Sequence, residues 1–311
     1  MKKIVSLLLI CLLCASAALG EGARVAALKG PTAMGMVYMM NENEDYDFEI
    51  CASADEITPK LAKGEFDIAA LPANLSAVLY QRMAGEIQVL AVNTLGVLYI
   101  VTTDDNVSGI ADLKGRTVYA AGKGATPEYA LNYILRANGL EPGTDVTIEY
   151  KAEHSECLAA LLSNEGSLAL LPQPFITTAL SKVPEMRVAI DLNEAWAALQ
   201  GEDGSALITG VVVARRDFIE SNPELISQFM EEYAASVDWV NNNTSDAAKL
   251  IEAYDIVPAA IAEQALPACN ICFIAGDEMK SKLGGYLNVL FEADPDAVGG
   301  ALPDDDFYYA E

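Results

Sequence analysis

Four short stretches of this sequence place a polar side chain where an apolar run gives way to a helix-forming one. They are Gly30-Pro31-Thr32-Ala33-Met34, Leu71-Pro72-Ala73-Asn74, Gly122-Lys123-Gly124-Ala125-Thr126 and Leu171-Pro172-Gln173. A helix N-terminus carries N–H groups without intrahelical partners and a partial positive charge, so such junctions suit acceptor-rich groups of a ligand. Thr32, Asn74, Thr126 and Gln173 are the side chains they would add, and Asn93 closes the next apolar run. Gly, Pro, Thr and Asn also favour ordinary turns and caps, the plainer reading of any single junction. Four junctions in two matched halves point instead to a binding cleft. The expected ligand set is Gly30, Pro31, Thr32, Met34, Pro72, Asn74, Asn93, Gly122, Gly124, Thr126 and Gln173. Trp196 is an aromatic that could stack on a flat ligand or pack in the core.

Other chemistry is poorly supplied. Cys269-Asn270-Ile271-Cys272 has the C-x-x-C spacing of a tight disulfide or a thiol-exchange site. A redox enzyme would set it in a βαβ context, whereas the preceding stretch reads as helical with Pro267, so a structural pair or two free thiols is the competing reading. Cys51 and Cys157 fall in different halves and are expected unpaired. Gly122-x-Gly124 lacks the third glycine of a dinucleotide loop, and no cofactor is expected. The single histidine, His154, excludes multi-histidine metal sites and reads as a surface residue between Glu153 and Glu156. Neither G-x-S-x-G nor H-E-x-x-H occurs, so no catalytic or metal site is expected.

The elements that must position these residues come in two copies. Residues 64–93 and 164–193 align without a gap, with Leu71-Pro72 on Leu171-Pro172 and Asn93 on Asn193. Each copy reads as a buried strand, a Leu-Pro stop, a helix and a second strand. The period is too long for a solenoid repeat of roughly 20–50 residues, so it marks two similar α/β lobes. Ahead of each copy a strand, loop, helix and strand complete a mainly parallel sheet flanked by helices. Leu95–Thr103 and Leu207–Ala214 are long extended runs, read as two hinge crossings between the lobes. Lobe 1 is then 21–98 with 207–311, and lobe 2 is 99–206. The remainder reads as helices, with Ser221 and Glu224 spaced as a capping box and Gly299–Tyr309 as a loop or tail.

Composition restricts partners. A net charge of -26 leaves no basic surface for nucleic acid or anionic membrane. Lys2-Lys3, the apolar run Ile4–Leu13 and the small residues after it form a secretory signal over 1–20, with cleavage expected after Gly20. Cys14 offers a lipid anchor as the alternative, although Leu13 is large for the position before a lipidated cysteine.

On these residues the chain resembles the type 2 extracytoplasmic solute-binding proteins of ABC importers, in the nitrate, sulfonate, taurine and thiamine-pyrimidine branch. The resemblance rests on the signal segment, the two crossed lobes, and Lys29-Gly30-Pro31-Thr32-Ala33-Met34-Gly35-Met36 as a first ligand loop. Residues 218–241, Ala268-Cys269-Asn270-Ile271 and 299–309 resemble the C-terminal blocks of that family. It implies a monomer that captures a small polar organic solute in the interlobe cleft, without catalysis, and hands it to an ABC permease. A secreted thiol-disulfide protein using Cys269 and Cys272 is the alternative from another class, and a ligand-presenting sensor module is a third.

Overall fold

The protein is described by a computed structural model over residues 22–200 and 204–310. The expected signal segment, with Gly20 and Cys14, lies outside the described residues. Strand Ala23–Leu28 (β1) leads through Gly30 into helices Pro31–Met34 (α1) and Val37–Glu42 (α2). The two helices are separated at Gly35, a residue that weakens helix interiors. Next come Tyr46–Cys51 (β2), Ala54–Lys63 (α3), Ile68–Pro72 (β3), Ala73–Arg82 (α4) and Ile87–Leu95 (β4). The second half repeats the plan with Leu98–Thr102 (β5), Thr117–Ala120 (β6), Thr126–Ala137 (α5), Thr147–Tyr150 (β7) and His154–Ser163 (α6). Leu168–Pro172 (β8), Phe175–Lys182 (α7), Arg187–Asp191 (β9) and Leu192–Ala197 (α8) complete it. The chain then returns through Ile208–Arg215 (β10) to helices Arg216–Ser221 (α9), Pro223–Asn242 (α10), Thr244–Ala253 (α11) and Ala259–Ala265 (α12). Ile271–Ile274 (β11) and Gly276–Ala293 (α13) follow.

The strands form two sheets, ordered β11-β4-β10-β3-β1-β2 and β7-β6-β8-β5-β9. In each, four strands run one way and a strand from the other side of the crossing is inserted against them. β10 lies antiparallel between β3 and β4, and β5 lies antiparallel between β8 and β9. The repeat copies are thus β3-α4-β4 and β8-α7-β9. Ile68–Leu71 and Leu168–Leu171 are buried, as strands covered on both faces must be. A proline ends each run because it cannot donate to the ladder, and a helix starts within three residues.

One apolar core runs from a face of the first sheet into a face of the second, through Trp196, Tyr286 and Leu207. A second core packs α2, α10, α11 and α12 on the back of the first sheet, and a third packs α6 and α7 on the back of the second. α10 buries Phe229, Tyr233, Val237 and Val240, the stripe its periodicity marks. Its N-cap is Asn222 and not Ser221, which ends α9, so the capping box does not form.

Two features went unseen in the sequence. The stretch before Cys269 is helical, as read, but just after it the chain yields β11 on the edge of β4. Asn270, in a left-handed conformation at φ 46°, donates to the carbonyl of Gly96 at the first crossing. Asn193, the repeat partner of Asn93, accepts the Gly96 N–H at 3.3 Å from the other side. The C-terminal stretch read as a loop or tail is instead strapped down. Phe307 is fully buried edge-on to Tyr80, Arg216 pairs with Asp306 at 3.0 Å, and the N–H of Tyr309 donates to Val89 at 2.9 Å.

Candidate functional site

The carboxyl ends of both sheets meet at a cavity of about 500 Å3. Leu28 at the end of β1, Pro72 at the end of β3, Asn74 and Leu75 in the first turn of α4, and Thr209 of β10 line one side. Leu98, the Ala125-Thr126-Pro127 start of α5, His154 at the start of α6, and Pro172 line the other. Ligands settle at such strand ends because loops and helix N-termini converge there. No side chain caps α4, α5 or α6, so their first N–H groups remain available. The repeat shows in the walls themselves, where Pro72 and Pro172 face the cavity from corresponding positions.

Of the expected residues, the structure brings Pro72, Asn74 and Thr126 to the cavity. Gly122 and Gly124 sit in the exposed loop ahead of α5, at φ 82° and 75°, and the N–H of Gly124 donates to Glu128 at 2.6 Å. Gly30 and Pro31 are half-buried beside the wall, but it is Leu28 that lines it. Four expectations need correction for a common reason: other protein groups already claim the side chain. Thr32 donates its hydroxyl to the carbonyl of Leu28 at 2.6 Å. Asn93, fully buried, donates to the carbonyl of Thr32 at 3.2 Å. Gln173 accepts from the hydroxyl of Thr177 at 2.8 Å, capping α7, and leaves the wall to Pro172. Trp196 is fully buried, donates Nε1–H to Ser205 at 3.1 Å, and packs on Tyr133 and Tyr286. Met34 is core, with no exposed surface.

His154 is also corrected, in the opposite direction. It lines the cavity, half-buried against Phe175, and its Nδ1 is buried without a partner. Burial depresses its pKa below the usual imidazole value, opposed by Glu153, so the ring is neutral at pH 7. The signal that could have found it is the strand-to-helix rule applied to the Thr147–Tyr150 strand.

Cys51, Cys157, Cys269 and Cys272 are free. Burial pushes the thiols of Cys269 and Cys272 up to about 12, and a protonated, enclosed thiol is a poor nucleophile. Between them Asn270, in the left-handed conformation, leads the chain into β11.

A family model described as ABC transporter, phosphonate, periplasmic substrate-binding protein matches residues 36–256, more than half the chain. The chain belongs to that family. It is the extracytoplasmic binding component of an ABC importer, which binds a small molecule and works with a membrane permease. Solved structures repeat its fold along nearly its whole length. An ABC transporter protein from Parabacteroides distasonis superposes with a TM-score of 0.79 at 24% identity, covering 94% of this chain and 99% of that one. The periplasmic aliphatic sulphonate binding protein SsuA of Escherichia coli follows at 0.74 and 17%, covering 93% and 92%. The alkanesulfonate-binding protein SsuA of Xanthomonas axonopodis pv. citri, bound to MOPS, gives 0.64 and 15%, covering 93% and 96%. No curated protein matches the binding protein. No helix among the described residues is long and apolar enough to cross a membrane.

Proposed function

We propose that the cavity takes one small organic solute with an apolar body and a polar end carrying at most one net negative charge. Lobe 1 (21–98 and 207–311) and lobe 2 (99–206) hold it together, so that binding selects the closed arrangement over an open one. The observation that carries this reading is the wall chemistry. Both sides contribute, Leu and Pro side chains dominate, and among the described residues no Lys, Arg, Asp or Glu lines the cavity. A dianion would lose hydration there without gaining an opposite charge, and would approach against a net -26. A single charge can be met by the neutral donors of Thr126 and the helix N-termini. The phosphonate of the family description and the alkanesulfonate-binding neighbour both favour an oxyanion-ended organic solute.

The clamp is tested by calorimetric titration of a panel of C3–C4 alkylsulfonates, alkylphosphonates and their amino derivatives. Asn74→Ala on one side and Thr126→Ala on the other should each weaken binding about ten-fold, the loss of one hydrogen bond to a buried partner. Glu231→Ala, at an exposed position of α10, should leave it unchanged. Loss confined to variants on one side would replace the clamp with a single-lobe pocket.

Export by residues 1–20 gives a monomer with Glu21 as its first residue and no lipid on Cys14. Intact-mass and sedimentation measurements on the secreted protein check this, and a diacylated Cys14 would overturn it.

A further inference from the structure

Two threonine hydroxyls line the cavity from opposite sides, and their protons are not equally free. Tyr286 on α13 is fully buried, and its one hydrogen-bond partner among the described residues is the hydroxyl of Thr126, 3.0 Å away. A buried O–H with no acceptor bears the full cost of its desolvation. If Thr126 donated to Tyr286, the phenol proton would be left in that condition. Tyr286 therefore donates and Thr126 accepts; burial drives the phenol pKa up, so the proton to be donated stays on. The hydroxyl proton of Thr126 is left with the cavity to point into. On the other side the arrangement is reversed. Thr209 donates its hydroxyl to the carbonyl of Leu95 at 2.6 Å, so only its lone pairs face the cavity. Asn74 agrees with Thr209, since its amide N–H is turned to the carbonyl of Ala297 at 3.4 Å and its Oδ1 remains an acceptor.

We propose that Tyr286 is a positioning residue that fixes Thr126 as a donor, so the cavity selects a solute with an acceptor toward α5 and a donor toward β10. The inference rests on the solute-binding reading of the cavity and narrows it. The end that meets Thr126 is an oxyanion or carbonyl oxygen. The end that meets Thr209 and Asn74 carries an N–H or O–H, as an amino- or hydroxy-substituted acid does and a plain alkyl acid does not.

The test is calorimetric titration of the full secreted chain with 3-aminopropanesulfonate and with butanesulfonate, which has the same acceptor end and no donor. Wild type should prefer the amino compound by about ten-fold. Tyr286→Phe, which keeps the ring, should weaken binding of both by about three- to ten-fold. In a Thr126→Val background the same change at 286 should have no further effect, an interaction that a merely structural tyrosine would not show. Thr126→Ser should restore binding to within about two-fold, because the donor returns. Equal effects of Tyr286→Phe with and without the Thr126 hydroxyl, or no preference between the probes, would overturn the assignment while leaving the cavity reading in place. A wild type that binds neither probe would remove both. Where Tyr286→Phe fails to fold, the Ser and Val variants at 126 decide the matter: equal affinity in the two means that Thr126 is not a donor.

Discussion

Trp196→Ala lowers the unfolding free energy by about 3–5 kcal/mol, the range for removing a large aromatic from a core that cannot collapse. The indole has no exposed surface, packs 4.5 Å from the ring of Tyr133 and 5.7 Å from that of Tyr286, and holds Ser205 through Nε1. Those partners lie on α5, on α13 and just ahead of the return crossing, so the cavity left behind is walled by three segments that other packing holds in place. In a chain of this size such a loss lowers the melting temperature by on the order of 10 °C. Denaturant titration measures it, and a loss below about 1 kcal/mol would show that the three segments do not depend on the indole. Trp196→Phe should recover much of the deficit, since most of the buried area is restored.

Gly210→Ala comes second, with an expected cost of about 1–3 kcal/mol and the loss of most solute affinity. A Cβ at this position would sit 2.4 Å from Oδ1 of Asn93, 2.6 Å from Cγ2 of Thr32 and 3.1 Å from Oγ1 of Thr94. None of these can swing aside cheaply. Thr32 is tied to Leu28, and Asn93 is tied to Thr32. Relief therefore has to come from the backbone of β10 or from the α1 loop. Gly210 pairs with Pro72 across the sheet and follows Thr209, so either movement disturbs the cavity wall. A variant with wild-type affinity would show that the wall is softer than its contacts imply.

The polar residues buried behind the cavity explain which parts of the site the sequence carried openly. Strand ends followed by helix starts are visible as Leu-Pro and Gly-x-Gly junctions, so the place of the site was legible. Whether a threonine faces inward or backward depends on one rotamer and on which carbonyl lies within reach. Thr126 and Thr32 occupy similar junctions, yet one lines the cavity and the other bonds to Leu28. His154 was missed although the strand before it is legible, because Glu153 and Glu156 beside it make it read as a surface residue. The fold followed the same rule. The internal repeat exposes two lobes, whereas β5 and β10, both recognisable as extended runs, find their neighbours far along the chain, where local pattern has no influence. β11 is brief, and its register on β4 is irregular, so periodicity gave no warning of it.

The inserted strand β10 also governs the order in which the molecule can be made. β3 and β4 lie in the first third of the chain, but the strand that fills the gap between them belongs to the last third. Until it is supplied, the first sheet has a slot with unpaired ladder groups on both sides and no closed core beneath it. Pairings between such distant segments carry a large loop-closure cost, and proteins dominated by them fold slowly. A nascent chain that lacks Ile208–Arg215 can therefore complete the second sheet, whose last strand ends at Asp191, but not the first. Closure of the first sheet is deferred until residues 208–215 of the 311 have been synthesised, so the two halves of the molecule cannot be finished in the order in which they begin.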